Sequence, residues 1–186
     1  MDVLRGERIS LREIWAEHLG EYSNRYAGDY EAFTALRGVP PHPIQTNQAR
    51  TAVSDKTTMT FAIHDLDSGD HVGVVNVHSI DLLNRSAGVG IHLESIARGK
   101  GYATDALRVG CAYVFDHLGL HRFTYGAFAT NAASIKLARR CGFVEEGRRR
   151  KGKLTRHGWV DRVAFAMLAD EWAARKEGAG VATRSS

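Results

Sequence analysis

Apolar and polar residues alternate over Ile9–Glu13 (ISLRE), which predicts a strand. Trp15 to about Leu36 has helical spacing, interrupted near Gly28 and ended by Pro40, Pro41 and Pro43. Thr46 is placed to cap a short helix over Asn47–Ser54. Met59–Asp65 and His71–Ile80 read as strands, and Asp67-Ser68-Gly69-Asp70 between them is a hairpin signal. Asp81–Arg85 is a second turn and Ser86–Glu94 a third strand of this group. Gly101–Leu118 is the clearest helix: Ala103, Leu107, Cys111, Val114 and Leu118 share one face, and Gly119 stops it. His121–Ala129, rich in aromatics, predicts a strand. Asn131 is placed to cap a helix ending at Arg140-Cys141-Gly142. Phe143–Arg150 and Val160–Leu168 are the last two strands, joined by a basic, Gly-containing connection, and Asp170–Lys176 adds a short helix. The sum is a mixed α/β (α+β) fold of about seven strands, without the regular βαβα alternation of a doubly wound sheet.

The 186 residues suit one domain, expected over 1–175, with 176–186 a flexible tail. Hydrophobic content of 44% and charged content of 25% exclude a collagen-like or disordered chain. No apolar run reaches the ~20 residues of a membrane span. The start, MDVLRGERISLRE, has no apolar stretch of the signal-peptide kind, so none is expected. Cys111 and Cys141 have neither CxxC nor zinc-ligand spacing, which points to a reduced, cytoplasmic protein without a metal. The net charge of +4 hints at anionic ligands but lacks the clustering of a nucleic-acid binder.

The candidate chemistry lies in Arg98-Gly99-Lys100-Gly101-Tyr102-Ala103-Thr104, between a predicted strand and the best helix. Glycines there let backbone N–H groups face an anion, and the helix start adds unsatisfied N–H groups and a positive dipole end. The same stretch is also compatible with a plain turn bearing solvated basic residues. It is neither a P-loop, since Tyr102 follows Gly101, nor a Rossmann turn, since Thr104 stands where the third glycine belongs.

Arg98-x-x-Gly101-x-Ala103 resembles the [QR]-x-x-G-x-[GA] signature of the GCN5-related N-acetyltransferases, the GNAT superfamily. Asn131-Ala-Ala-Ser134 through Gly142-Phe143 resembles that family's next helix and strand start. Leu4–Arg12, Phe143–Gly147 and Gly158-x-x-Asp161 resemble its ribosomal-protein N-terminal acetyltransferase branch. The likeness covers about residues 4 to 173. It implies a sheet split in a V and flanked by about four helices. Acetyl-CoA would lie between Ser86–Glu94 and His121–Ala129, with backbone groups of Ile91 and Leu93 along the pantetheine. Arg98, Gly99, Lys100, Gly101, Tyr102, Ala103 and Thr104 would cradle the pyrophosphate, and Asn131 would touch the pantetheine amides. Many members carry a tyrosine that protonates the leaving thiolate. Ala138 stands at that position, and the resemblance passes the role to Ser134, which would also face and bind the cofactor.

The implied reaction is direct attack of an amine on the thioester. His92 is the first candidate base and Glu94 the second, both opposite in parity to Ile91 and Leu93. Asn76 and His78 share a parity on the neighbouring strand and are candidates to line the acceptor site. The related branch can place a glutamate where Lys153 stands, so that role has no counterpart here. The basic run Arg148–Lys153 reads as a solvated connection, with an acidic acceptor or RNA as the other reading, and the aromatics of His121–Phe128 read as core. The partners implied are acetyl-CoA and an amine: a protein N-terminus, an RNA-associated substrate or a small molecule. The chain would act as a monomer or homodimer. Other readings are a different acyl donor (a longer acyl-CoA or an aminoacyl-tRNA) or a non-catalytic CoA- or RNA-binding module.

Overall fold

A computed structural model describes residues 4–14, 57–155 and 158–183. The helices expected over Trp15–Leu36 and Asn47–Ser54 lie outside the described residues. Among the described residues eight strands form one sheet in the order β1-β2-β3-β4-β5-β6-β8-β7. They are β1 (Leu4–Arg5), β2 (Ile9–Glu13), β3 (Met59–Asp65), β4 (His71–Asp81), β5 (Ser86–Leu93), β6 (Arg122–Phe128), β7 (Val144–Thr155) and β8 (Gly158–Leu168). The three α-helices among the described residues are α1 (Tyr102–Ala112), α2 (Ala132–Cys141) and α3 (Ala169–Thr183).

Side-chain alternation divides the sheet into two faces. Val75, Val77, Val89, Phe123, Tyr125, Val163 and Phe165 point to one face. There they form the main core with Leu107, Cys111, Val114 and Ala138 from the helical side. Val74 and Ala62 point to the opposite face and pack with Ile14. This division decides which residues can reach which side of the site.

Antiparallel pairing holds everywhere except between β5 and β6, which run parallel. A parallel neighbour needs a crossover, and α1 supplies it. Their pairing covers Ser86↔Arg122 through Val89↔Tyr125 and then stops. Beyond it β5 stays on β4 as far as Gly73↔Leu93, and β6 stays on β8 as far as Phe128↔Arg162. The sheet therefore opens between Gly90–Leu93 and Gly126–Phe128, as the V-shaped expectation required.

Four boundaries differ from the sequence reading. Leu4–Arg5 adds an eighth strand. The long helix ends at Ala112 and continues as a π-helical turn, Tyr113–His117. The basic run Arg148–Lys153 is not a connection but part of β7, whose register shifts between Arg149 and Lys153, with Lys151 at φ +49°. The last helix continues past Lys176 to Thr183. Charged residues on an edge strand face solvent on both sides, so their sequence looks like a loop.

Candidate functional site

The segment between β5 and α1 is built to expose its backbone. Gly99 and Gly101 have φ of +80° and +89°, where L side chains are strained, and a Cβ on either would meet nothing within 4 Å. Gly101 caps α1 in the left-handed conformation, and its carbonyl accepts from Thr104 N at 3.0 Å and Asp105 N at 3.2 Å. The N–H groups at the start of the first turn, Tyr102 and Ala103 among them, have no intrahelical acceptor by geometry.

Three contacts hold this turn in place. The buried Asp105 carboxylate accepts from Arg8 N (2.7 Å) and Ile9 N (3.2 Å), joining α1 to the start of β2. A side chain at Gly6 would collide with that carboxylate. Tyr102 donates its hydroxyl to Asp65, which holds the Asp65 carboxyl below the usual carboxylate range. Arg8 Nη1 donates to Lys100 O (3.2 Å). Lys100 itself is exposed.

The β5 arm of the opening presents its backbone. Glu94 N donates to Val72 O at 3.0 Å, toward β4. Alternate residues turn their peptide groups to opposite sides, so Ile91 and Leu93 turn theirs toward the opening. Arg98 Nε donates to Leu93 O (3.3 Å) at its mouth. The β6 arm is backed by α2. Asn131 Oδ1 accepts from Ser134 N (2.9 Å) and caps α2 as predicted. The Cys141 thiol is directed at Thr104 O (3.8 Å), bringing the end of α2 against the first turn of α1. Both cysteines are free and buried, and burial pushes the Cys141 thiol up to about 11.

Ser134 is not alone. Its Oγ lies 2.6 Å from the Tyr125 hydroxyl. Tyr125 is 6% exposed and occupies the last paired position before the sheet opens. Burial raises its phenol pKa, so the group stays protonated through neutral pH. The aromatic pattern of this strand reads as core packing and gives no role to the Tyr125 hydroxyl. The available signal was its parity with Phe123 and Ala127, which faces it to α2, together with the need of a buried phenol for a partner. Ala138, where the resemblance implies a tyrosine in other members, is fully buried.

His92 pairs in register with Val74 and so lies on the face opposite the main core. Glu94 bonds the His71 ring at 3.0 Å. Asn76 and His78 share the His92 face, over Gly90 and Gly88 respectively. Lys153 is half-buried on β7 opposite Val160. No group of three or more metal-ligating side chains occurs among the described residues, and no described helix is long and apolar enough to cross a membrane.

Comparison with known proteins matches residues 8–144 to an acetyltransferase (GNAT) domain. The Bacillus subtilis (strain 168) protein named "Probable N-acetyltransferase YjcK" is 33% identical over 176 residues, 89% of this chain and 97% of that relative. Another from the same organism, "Putative ribosomal N-acetyltransferase YdaF", is 33% identical over 111 residues; the match spans 60% of this chain and 61% of that relative's length. In structure, the chain superposes on the spermidine N-acetyltransferase of Vibrio cholerae in complex with CoA and spermine, with TM-score 0.78. The match has 20% identity, over 89% of this chain and 98% of that one.

Proposed function

The chain belongs to the GNAT acetyltransferase family, and on that premise we propose that it transfers the acetyl group of acetyl-CoA to a primary amine by direct attack in a ternary complex. The observation that carries this reading is the opening of the sheet after Val89↔Tyr125 beside the glycine turn Gly99–Gly101. An extended pantetheine fits where a strand is missing, and a pyrophosphate fits a helix start flanked by glycines.

The residues divide by element. Ile91 and Leu93 pair with the pantetheine amides from β5, and Asn131 meets them from α2. Arg98, Gly99, Lys100, Gly101, Tyr102, Ala103 and Thr104 surround the pyrophosphate. The amine arrives from the face that carries His92. It must be neutral to attack, which is easier for an α-amine (pKa about 7.7–8.0) than for a lysine (about 10.4). His92 takes the proton the amine loses. The N–C bond forms, the C–S bond breaks, and Ser134 gives a proton to the leaving thiolate. A backbone N–H near Leu93 stabilises the oxyanion formed between these steps. Free buried cysteines fit a reducing compartment such as the cytoplasm.

Thiol release from acetyl-CoA against an amine panel tests this. Amine-dependent release with an acetylated product supports it. Release only from longer acyl-CoAs assigns another donor. Binding of acetyl-CoA without release from any amine favours a CoA-binding module over an enzyme.

A further inference from the structure

The face opposite the main core carries a set of polar groups that the acyl-transfer chemistry does not use. Three glycines lie beneath them. A Cβ at Gly88 would collide with the His78 ring, at Gly90 with Asn76 Oδ1, and at Gly126 with the Arg162 guanidinium. The side chains of β4 and β8 thus lie inward over β5 and β6, from both flanks of the opening. Gly90 and Gly126 each follow the last paired residues, Val89 and Tyr125. Asn76 Oδ1 and the Arg162 guanidinium therefore stand above facing positions of neighbouring strands, where the sheet begins to part.

Among the described residues neither group finds a partner. Asn76 Oδ1 is buried and has no hydrogen-bond partner. No carboxylate of the described residues pairs with the half-buried Arg162. Arg149 stands directly opposite Arg162 on β7, so it shares the Arg162 face. Like charges directly opposite on one face destabilise a sheet. A buried orphan acceptor also has a desolvation cost. Burial, with the positive charge of Arg162 added to it, holds the His78 ring below its ordinary pKa. A ligand that relieves all of this brings an N–H donor to Asn76 and an oxyanion to Arg162.

We propose that this glycine-floored trough is the acceptor subsite, and that it selects an amine carrying an oxyanion a few bonds from its nitrogen, with Asn76 and Arg162 as the specificity residues. The proposal rests on the acyl-transfer reading above and narrows its acceptor. It sets this chain apart from its polyamine-acetylating structural neighbour, because a second ammonium in the trough would meet Arg162 and Arg149.

The test is thiol release at saturating acetyl-CoA with amines of similar length and graded charge. β-Alanine and O-phosphoethanolamine carry the oxyanion, n-propylamine is neutral beyond its amine, and 1,3-diaminopropane and spermidine carry further cations. The expected kcat/KM for at least one oxyanion-bearing amine exceeds that of n-propylamine by about tenfold or more, a typical return for a charge-assisted pair. The two oxyanion arms distinguish carboxylate from phosphate. Arg162→Gln should collapse that ratio toward unity while leaving the acetyl-CoA Kd unchanged. Gly126→Ala, which displaces the guanidinium without removing it, should do the same if Arg162→Gln fails to fold. The proposal is overturned if 1,3-diaminopropane or spermidine matches the oxyanion arms, or if Arg162→Gln lowers every amine equally. Acetyl-CoA binding with no release from either oxyanion-bearing amine overturns it and leaves the transferase reading intact. Absence of acetyl-CoA binding overturns both.

Discussion

Tyr125→Phe deletes one oxygen and leaves the ring packed against Phe143 and Phe165, with centroids 5.9 and 6.4 Å away. The hydroxyl it removes sits 2.6 Å from Ser134 Oγ. A bond of this kind contributes about 1 kcal/mol to stability, so the variant should fold. Its effect on turnover should be larger. Ser134→Ala removes the group proposed to protonate the thiolate, and a lost general acid costs about 10²-fold or more in kcat. Tyr125→Phe leaves that group present but frees its rotamer, which should lower kcat by about tenfold. The double variant should be no slower than Ser134→Ala, because both substitutions act through one oxygen. The assay is thiol release at saturating amine, with kcat and the KM for acetyl-CoA fitted separately. The KM should change less than kcat, within about threefold, since the main role proposed for the pair is in the transfer step. Multiplicative losses in the double variant, or native kcat in Tyr125→Phe, would refute the pairing as a unit of catalysis.

Asp105→Ala should destabilise the fold by about 2–4 kcal/mol in urea titration, because it strands the N–H groups of Arg8 and Ile9. Gly101→Ala should weaken acetyl-CoA binding more than it lowers stability: the positive φ costs about 1–2 kcal/mol, and the new methyl occupies the open space proposed for the pyrophosphate. His78 has a folded pKa below its unfolded value, so the unfolded state binds its proton first as pH falls. Stability should therefore decline as pH drops below about 6.5 and level off once the folded pKa is passed. His78→Gln should flatten that part of the curve, and an unchanged pH profile would assign the titration to another group.

The strands Ile9–Glu13 and Met59–Asp65 begin and end where the sequence places them. β7 was not readable past Arg150, because an edge strand with both faces in water has no apolar alternation to reveal it. Gly99 and Gly101 could be singled out because a positive φ leaves little choice of residue. The Tyr125–Ser134 pair could not, since the meeting of β6 with α2 is tertiary. The trough was half visible: the shared parity of Asn76 and His78 follows from alternation on β4. Arg162 enters only through the β6–β8 and β7–β8 registers, which join distant parts of the chain. The glycines under these side chains looked like weak strand formers until the residues lying over them were known.

If the opening between β5 and β6, with the glycine turn beside it, holds acetyl-CoA, calorimetric titration of the protein with acetyl-CoA will show micromolar binding to the native chain. Gly101→Glu, titrated beside it, should bind none, because its carboxylate and bulk would stand against the pyrophosphate, while circular dichroism shows the variant folded. No binding to the native chain, or equal affinity in a folded variant, would contradict this placement.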